Sequence, residues 1–239
     1  MADIKDTVAS RIREAARLKQ GVQLHGGNTK AFYGRTIQAT PLSLNPHSGI
    51  TEYEPSELYI TARCGTRLSE IEQVIENEKQ ILPFEPPHFG TVATLGGAVA
   101  AGLSGPRRVS SGGVRDSILG AEIFNGAGEY LRFGGKVMKN VAGYDASRLM
   151  CGSLGTLGIL MSVTLRLLPK PQNEQTAVIA ESSSGAIQKM NAWALTPMPI
   201  TATFHDGENL YVRLAGPASV IEKCTASMGG ELTDLGNRF

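Results

Sequence analysis

The sequence has little of what marks several common classes of protein. Its three cysteines, Cys64, Cys151 and Cys224, are far apart and form no C-x-x-C pair, so they indicate neither a disulfide framework nor a cysteine-ligated iron–sulfur cluster. Small buried thiols are the expected role of all three. The formal net charge is only +1, so the chain lacks the broad basic surface of a nucleic-acid-binding protein.

Long apolar runs are also missing. No uninterrupted apolar stretch approaches the ~18 residues of a membrane-spanning helix. The first residues, MADIKDTVASRIREAARLK, contain no secretory hydrophobic region. We therefore expect a cytoplasmic protein. The length of 239 residues, with 41% hydrophobic and 19% charged residues, is typical of a globular chain that buries a substantial core.

Two familiar nucleotide-binding motifs fail to appear. The chain has no G-x-x-x-x-G-K-[ST] sequence, and Gly126-Ala127-Gly128 begins like a dinucleotide fingerprint but has Leu131 in place of the third glycine. The sequence therefore supports neither a Walker-type NTPase nor an NAD-type Rossmann site. His47, His88 and His205 each lack a second plausible ligand nearby in sequence, so no metal site is predicted.

Glycine, by contrast, is abundant. The chain has 28 glycines, concentrated between residues 90 and 158. An interior glycine weakens a helix or strand by roughly 0.5–1 kcal/mol relative to alanine, so some gain must compensate. Three clusters stand out: Gly26-Gly27-Asn28-Thr29, Thr94-Leu95-Gly96-Gly97 and Gly102-Leu103-Ser104-Gly105.

The glycine clusters have two interpretations. Where β-carbons are missing, several backbone N–H groups can converge on a phosphate, as they do in anion-binding nests. Alternatively, residues 96–105 form a helix whose small side chains only allow close packing against a sheet. The pattern alone does not choose between these interpretations.

Apolar periodicity predicts the elements around the clusters. We expect a helix that starts near Ile4 and stops at Gly21, a strand over residues 22–25, and a helix over residues 67–79 capped by Thr66. Asn125-Gly126 predicts a hairpin. Pro169 and Pro171 mark the best boundary, which predicts domains over residues 1–171 and 172–239. The second of these follows a β-α-β-β-α-β order of the ferredoxin-like kind.

Longer motifs then resemble a known family. GTVATLGGAVAAGLSGPRR and the later KNVAGYD and GSLGTLG, with EPPHFG before them, resemble the FAD-binding domain of the vanillyl-alcohol oxidase/p-cresol methylhydroxylase (PCMH) family, and within it the FAD-binding subunits of glycolate oxidase-type complexes. The resemblance covers roughly residues 21–171. It implies an α+β, PCMH-type fold of two subdomains, followed by a short or truncated cap domain.

The resemblance also implies the cofactor and its contacts. FAD would be bound non-covalently, because Asn28 occupies the place where some members attach FAD through a histidine. The residues implied to line the FAD site are Gly26, Gly27, Asn28, Thr29, Lys30, Pro87, Thr94, Leu95, Gly96, Gly97, Gly102, Ser104, Gly105, Arg115, Asp116, Gly155, Gly158 and Ile159. No catalytic residue is assigned. Lys136, Lys139, Arg107 and Arg108 form either a solvated basic face or a balance for phosphate charge, and Tyr144 either packs in the core or contacts the flavin.

The resemblance finally implies an activity and partners. The expected reaction is oxidation of a small 2-hydroxy acid, such as glycolate, to the 2-oxo acid by hydride transfer to flavin. The expected partners are a second flavin subunit and an iron–sulfur subunit, through which the complex could associate with the inner face of a membrane. Two alternatives stay open: a non-catalytic FAD-binding structural or electron-relay subunit, and a free-standing flavin oxidoreductase acting on D-lactate or another alcohol.

Overall fold

The N-terminal helix shows how the apolar pattern becomes structure. In the computed structural model, which describes residues 4–136 and 145–233, Val8, Ala9 and Ile12 are buried on one face of a helix over Ile4–Leu18. This face packs against Phe124 and Met161. Their spacing of three to four residues places the apolar side chains on one stripe, so burial of that stripe stabilises the helix.

The described residues form eight α-helices. In chain order they are α1 (Ile4–Leu18), α2 (Leu68–Asn77), α3 (Leu95–Ala101), α4 (Arg108–Ser111), α5 (Val114–Ser117), α6 (Ala146–Leu149), α7 (Ser183–Trp193) and α8 (Ala218–Met228), with a 3-10 turn at Pro55–Glu57. The expectation that Thr66 caps α2 is wrong, because the helix begins after Arg67. The hydroxyl of Thr66 instead bonds to backbone atoms of Gly49 and Arg63.

The described residues also form thirteen β-strands. They are β1 (Val22–His25), β2 (Thr40–Ser43), β3 (Ile50–Glu54), β4 (Tyr59–Arg63), β5 (Gln80–Ile81), β6 (Ile118–Phe124), β7 (Tyr130–Gly134), β8 (Ile159–Arg166), β9 (Leu168–Pro169), β10 (Asn173–Ala180), β11 (Ile200–His205), β12 (Asn209–Gly216) and β13 (Glu231–Thr233).

Contacts divide the chain into two compact units. The first unit comprises Met1–Gly105 with Gly112–Pro169, and the second comprises Pro106–Ser111 with Lys170–Phe239. The sequence did not predict that residues 106–111, which lie far from residue 170 in the chain, belong to the second unit.

The first unit is built on a five-stranded antiparallel sheet. Its strand order is β3-β4-β8-β6-β7. Along β8, Ile159 and Met161 belong to the apolar cluster of α1, whereas Leu160 between them belongs to the cluster that includes residues of α2 and α3. This alternation buries both faces of β8, because successive side chains point to opposite faces of a sheet. A parallel pair, β1 with β2, carries the first glycine cluster at its end.

The second unit has the predicted β-α-β-β-α-β order. Its sheet order is β11-β12-β10-β13, with antiparallel pairs throughout, which is the ferredoxin-like arrangement. Leu210, Val212 and Leu214 of β12 pack with Ile221 of α8 and Ala186 of α7. The α+β fold class predicted from the sequence is therefore confirmed for both units.

The hairpin predicted at Asn125-Gly126 is confirmed, and it joins β6 and β7. The loop spans residues 125–129, and the residue with positive φ is Gly128 (φ 74°) rather than Gly126. The side-chain oxygen of Asn125 accepts from the amides of Ala127 and Glu129 at 3.0 Å. Asn125 therefore closes the turn by mimicking a backbone acceptor.

Candidate cofactor site

The first glycine cluster lies directly against the approach to the second. Strand β1 ends at His25, and residues 26–29 turn away from it, with Asn28 in the left-handed region (φ 56°). A β-carbon on Gly27 would overlap the carbonyl oxygen of Val92, and one on Gly26 would overlap the hydroxyl of Thr94. The fold thus joins two segments that the sequence placed in one site, and only glycine permits so close an approach.

The amides of the first cluster have no hydrogen-bond acceptor in the part of the chain that the structure describes. Among the described residues, none of the N–H groups of residues 26–30 donates a hydrogen bond to another protein atom. The same holds for the N–H groups of Ala93 and Thr94, although these residues are only 2% and 3% exposed. Ala93 and Thr94 are buried, and a buried amide without a hydrogen-bond partner is rare in proteins, so these two amides are candidates to donate to a bound group.

The amides of the second cluster donate hydrogen bonds within the chain. The amide of Leu95 donates to Thr66 O at 2.9 Å, and that of Gly96 donates to Cys64 O at 2.8 Å. The amide of Gly97 donates to the hydroxyl of Thr94, which caps α3. The amides of Leu95 and Gly96 therefore hold the start of α3 in the fold, so of the two interpretations close packing applies to these amides.

Gly96 and Gly97 face different surroundings. A β-carbon on Gly96 would lie 2.7 Å from Cys64 Cβ and 2.9 Å from Cys64 O, which is closer than real β-carbons approach. Close packing of helix and sheet therefore explains Gly96. A β-carbon on Gly97 would meet only the Thr94 hydroxyl, at 3.3 Å, so the other side of Gly97 is open.

The third cluster continues from the end of α3. Gly102 ends the helix in the left-handed region (φ 68°), and a β-carbon there would lie 2.9 Å from Gly152 Cα. The hydroxyl of Ser104 accepts from the amide of Val114 at 3.0 Å. The amide of Gly105 donates to the carbonyls of Phe84 and Glu85, each at 2.9 Å. This cluster is therefore fixed by the chain around it.

Arg115 and Asp116 lie on α5, which follows the third cluster. Both residues are exposed. The carboxylate of Asp116 accepts from the amide of Gly113 at 2.8 Å and so caps the helix. Asp116 therefore has a structural partner already, whereas Arg115 extends from an exposed helical turn.

A cavity of about 240 Å³ lies beside β1. Its lining combines apolar side chains with small residues: Ile12, Ala15, Ala16, Gln20, Val22, Leu24, Phe124, Asn125, Gly126, Gly155, Thr156, Leu157, Gly158 and Ile159. Three of these, Gly155, Gly158 and Ile159, were predicted for the site. A β-carbon on Gly155 would lie 2.8 Å from Leu24 Cδ1, and Leu24 is two residues before Gly26.

Two exposed aromatic side chains that sequence reasoning missed lie next to Lys30. The rings of Phe32 and Phe89 meet edge to face at 5.0 Å, and they are 67% and 55% exposed. Lys30 Nζ lies 5.6 Å from the centre of the Phe89 ring, and burial lowers the pKa of Lys30. Pro87 lies half-buried in the same segment, beside His88, whose Nε2 is 3.0 Å from Glu72 Oε1. Phe32 lies in the motif NTKAFYG and Phe89 lies in the motif EPPHFG, so the aromatic residues of these two motifs could have indicated the pair.

Other expectations concern residues away from these loops. Within residues 4–136 and 145–233, no three His, Cys, Asp or Glu side chains are grouped so that they could hold a metal ion. No helix in the described part of the chain is long and apolar enough to cross a membrane. Lys139 and Tyr144 lie outside the described residues.

The fold and the amide-lined loop together define a protein that binds a diphosphate-containing cofactor. The chain belongs to the FAD-binding domain family, whose model, described as "FAD binding domain", matches residues 2–134. The resemblance predicted from the motifs is thereby confirmed, and the cofactor of the domain is FAD.

Several characterised proteins that are similar to this chain are named for the hydroxy acids on which they act. The chain is 44% identical over 229 residues to the glycolate oxidase subunit GlcE of Escherichia coli (strain K12), covering 96% of this chain and 65% of that protein. It is 32% identical to the glycolate oxidase subunit GlcD of Bacillus subtilis (strain 168), covering 68% and 35%. It is 33% identical to a D-lactate dehydrogenase of Anaerostipes hadrus, covering 58% and 29%. The chain thus spans less than two thirds of each of these relatives.

A solved structure shows the same fold. Alkyldihydroxyacetonephosphate synthase superimposes with a TM-score of 0.71 over 93% of this chain and 47% of that protein, at 16% sequence identity. At this identity the similarity shows the fold alone, which agrees with the PCMH-type fold expected from the sequence.

Proposed function

We propose that the chain is the FAD-binding subunit of a glycolate oxidase-type complex, which oxidises a 2-hydroxy acid such as glycolate to a 2-oxo acid such as glyoxylate. The observation that carries the proposal is the row of amides at residues 26–30, together with those of Ala93 and Thr94, which donate to no acceptor among the described residues. The 44% identity to a glycolate oxidase subunit supports the choice of complex.

The amides fit the pyrophosphate of FAD. Each hydrogen bond to a charged oxygen is worth about 1.5–3 kcal/mol, so a few such bonds offset the conformational cost of the glycines. Lys30 adds one positive charge at the end of this loop, and its partial desolvation strengthens its attraction to an anion. Asn28 gives no nucleophilic ring nitrogen for covalent attachment, so FAD is held non-covalently.

The remaining residues predicted to line the FAD site have two proposed roles: some form the adenine cavity, and the others form the walls along the phosphates and the ribityl chain. The cavity beside β1 takes the flat adenine ring, because its apolar lining includes Leu24 and Ile159 and it lies next to the strand that leads into Gly26. Pro87, Gly102, Ser104, Gly105, Arg115 and Asp116 shape the walls along the phosphates and the ribityl chain. The amides of Gly102 and Gly105 are used within the fold, so these two residues act by leaving space.

The reaction needs a hydride acceptor and an outlet for electrons. Oxidation of a 2-hydroxy acid removes a hydride from C2 and a proton from the hydroxyl group, and bound FAD supplies the acceptor for the hydride. The residues of this chain bind and orient the cofactor. A second flavin subunit and an iron–sulfur subunit then pass the two electrons on. The chain itself stays in the cytoplasm, and any membrane contact is made through these partners.

The test starts from the chain reconstituted with FAD. After removal of free FAD, the retained visible flavin absorbance is recorded, and glycolate is then added without oxygen. Loss of the flavin absorbance supports oxidation by the chain, whereas retained FAD with no loss of absorbance favours the non-catalytic alternative. D-lactate is the matched second substrate, because a D-lactate dehydrogenase is among the relatives. A chain that retains no FAD contradicts the proposal.

A further inference from the structure

Within the first unit, residues 88–92 lie along the amide loop of residues 26–30. A β-carbon on Gly90 would lie 3.3 Å from Thr29 Cγ2, so the backbone at Gly90 passes close to the end of the loop. Phe89, the residue before it, adopts the left-handed region (φ 52°). A bulky residue rarely adopts this region, and backbone strain of this kind is frequent at ligand sites. The two segments therefore meet at Thr29, where Phe89 takes an unusual conformation.

The ammonium group of Lys30 ends the amide loop. Its side chain is half-buried, and among the described residues no carboxylate forms an ion pair with it. Burial lowers the pKa of Lys30, because the charged form loses part of its hydration. The Phe89 ring, whose centre lies 5.6 Å from Lys30 Nζ, is close enough to attract the ammonium group through its face. The ring thus replaces part of the lost hydration and leaves the positive charge available to an anion.

Two further contacts fix the Phe89 ring and its segment. The ring of Phe32 meets that of Phe89 edge to face, with centroids 5.0 Å apart and planes at 74°. On the same segment, His88 Nε2 lies 3.0 Å from Glu72 Oε1 of α2. Because both rings are more than half exposed, packing in the core does not explain their position beside Lys30.

We propose that Phe89 is a positioning residue for Lys30: its ring holds the Lys30 ammonium group at the end of the amide loop, where this group meets the negative charge of the FAD pyrophosphate. The inference rests on the proposed binding of FAD at this loop. It gives Phe89 a role that acts through Lys30, so the loss of the ring should matter only while the lysine is present. A ring that merely stabilised the fold would affect FAD binding equally with and without the lysine.

The experiment measures whether the two side chains act together. The FAD dissociation constant is measured by fluorescence titration at low salt for the whole chain, for Phe89→Leu, for Lys30→Met and for the double variant. Leucine keeps an apolar side chain that is unbranched at the β-carbon, so the substitution removes mainly the ring. We expect Phe89→Leu to raise the dissociation constant about fivefold, in the range of a cation–π contact, and to add less than about twofold in the Lys30→Met background.

Two variants control for the general effect of changing an aromatic residue. Phe89→Tyr keeps the aromatic face and should bind FAD within about twofold of the unsubstituted chain. Tyr33→Leu removes an exposed ring from the same stretch of chain as Lys30 and should also leave the dissociation constant within about twofold. Raised salt should shrink the effect of Phe89→Leu, because screening weakens the attraction between Lys30 and the phosphates.

The outcomes separate this inference from the proposed function. An unchanged dissociation constant in Phe89→Leu, or an equal loss with and without Lys30, would overturn the inference while leaving the proposed function intact. If Phe89→Leu fails to fold, Phe32→Leu takes its place, because it removes the ring that fixes Phe89; unchanged FAD binding there would likewise overturn the inference. Failure of the unsubstituted chain to bind FAD would overturn both.

Discussion

Gly27 and Val92 approach so closely that a β-carbon on Gly27 would overlap the carbonyl oxygen of Val92. This contact brings the end of β1 against the segment that leads into α3. It places residues 26 and 27 next to Ala93 and Thr94. Two stretches more than sixty residues apart are thereby brought into contact, and we propose that their N–H groups, which have no acceptor among the described residues, bind the diphosphate.

Gly97→Val should abolish FAD retention while the chain stays folded. A β-carbon at position 97 meets only the Thr94 hydroxyl, so the new side chain is accommodated in the free protein but occupies space that the cofactor needs. The measurement is FAD retained after gel filtration, with circular dichroism as the check on folding. Gly135→Val is the control, because a β-carbon there meets nothing within 4 Å. Normal flavin retention by Gly97→Val would show that the cofactor does not pass Gly97.

Gly96→Ala, in contrast to Gly97→Val, should lower the stability of the protein without FAD. Its β-carbon would press on Cys64 Cβ and on the Cys64 carbonyl, and overpacking of this kind costs about 1–3 kcal/mol. Urea unfolding without FAD should therefore show a lower midpoint than that of the unsubstituted chain. An unchanged midpoint would mean that α3 can shift away from β4 at little cost.

Lys30→Met should weaken FAD binding and reduce its dependence on salt. Lys30 supplies one positive charge at the end of the amide loop, and attraction between exposed charges falls as ionic strength rises. Titrations at low and high salt should show the largest loss for the variant at low salt. Arg35→Met, at an exposed position five residues further on, is the control. Equal losses in the two variants would assign the effect to net charge rather than to Lys30.

Glu122→Gln should remove part of the pH dependence of stability. Burial raises the pKa of Glu122, but hydrogen bonds from Tyr130 and Ser162 and the charge of Arg132 outweigh it and hold the pKa below its usual value of 4.5. Ionised Glu122 therefore stabilises the fold above about pH 4.5, and this contribution is lost as the pH falls through the lowered pKa. Urea midpoints should differ between variant and unsubstituted chain at pH 7 and converge toward pH 3. A constant difference across that range would contradict the assignment.

Local patterns predicted much of the fold. The apolar periodicity from Ile4 predicted α1, and the glycine after β1 marked the first loop. What escaped prediction depends on partners distant in the chain. The amides of Leu95 and Gly96 are taken by carbonyls that precede them by about thirty residues, which no motif at positions 94–97 reveals.

The place of residues 106–111 was missed for the same reason. Arg107 in the sequence PRRVSS looks like one of two solvated arginines, since charge clusters are usually exposed. Its partner Glu174 is 67 residues away, and only the folded second unit brings the two together. The site residues implied by the family motifs stay a prediction of where the cofactor runs, and the structure adds which of their amides already donate within the chain.

Hydrogen–deuterium exchange with and without FAD shows whether the amide loop holds the cofactor. Amides of residues 26–30, which have no acceptor among the described residues, should exchange markedly more slowly once FAD is bound. The amide of Gly96, which already donates to Cys64 O, should change far less. FAD bound tightly with no slowing at residues 26–30 would show that these amides do not bind the diphosphate.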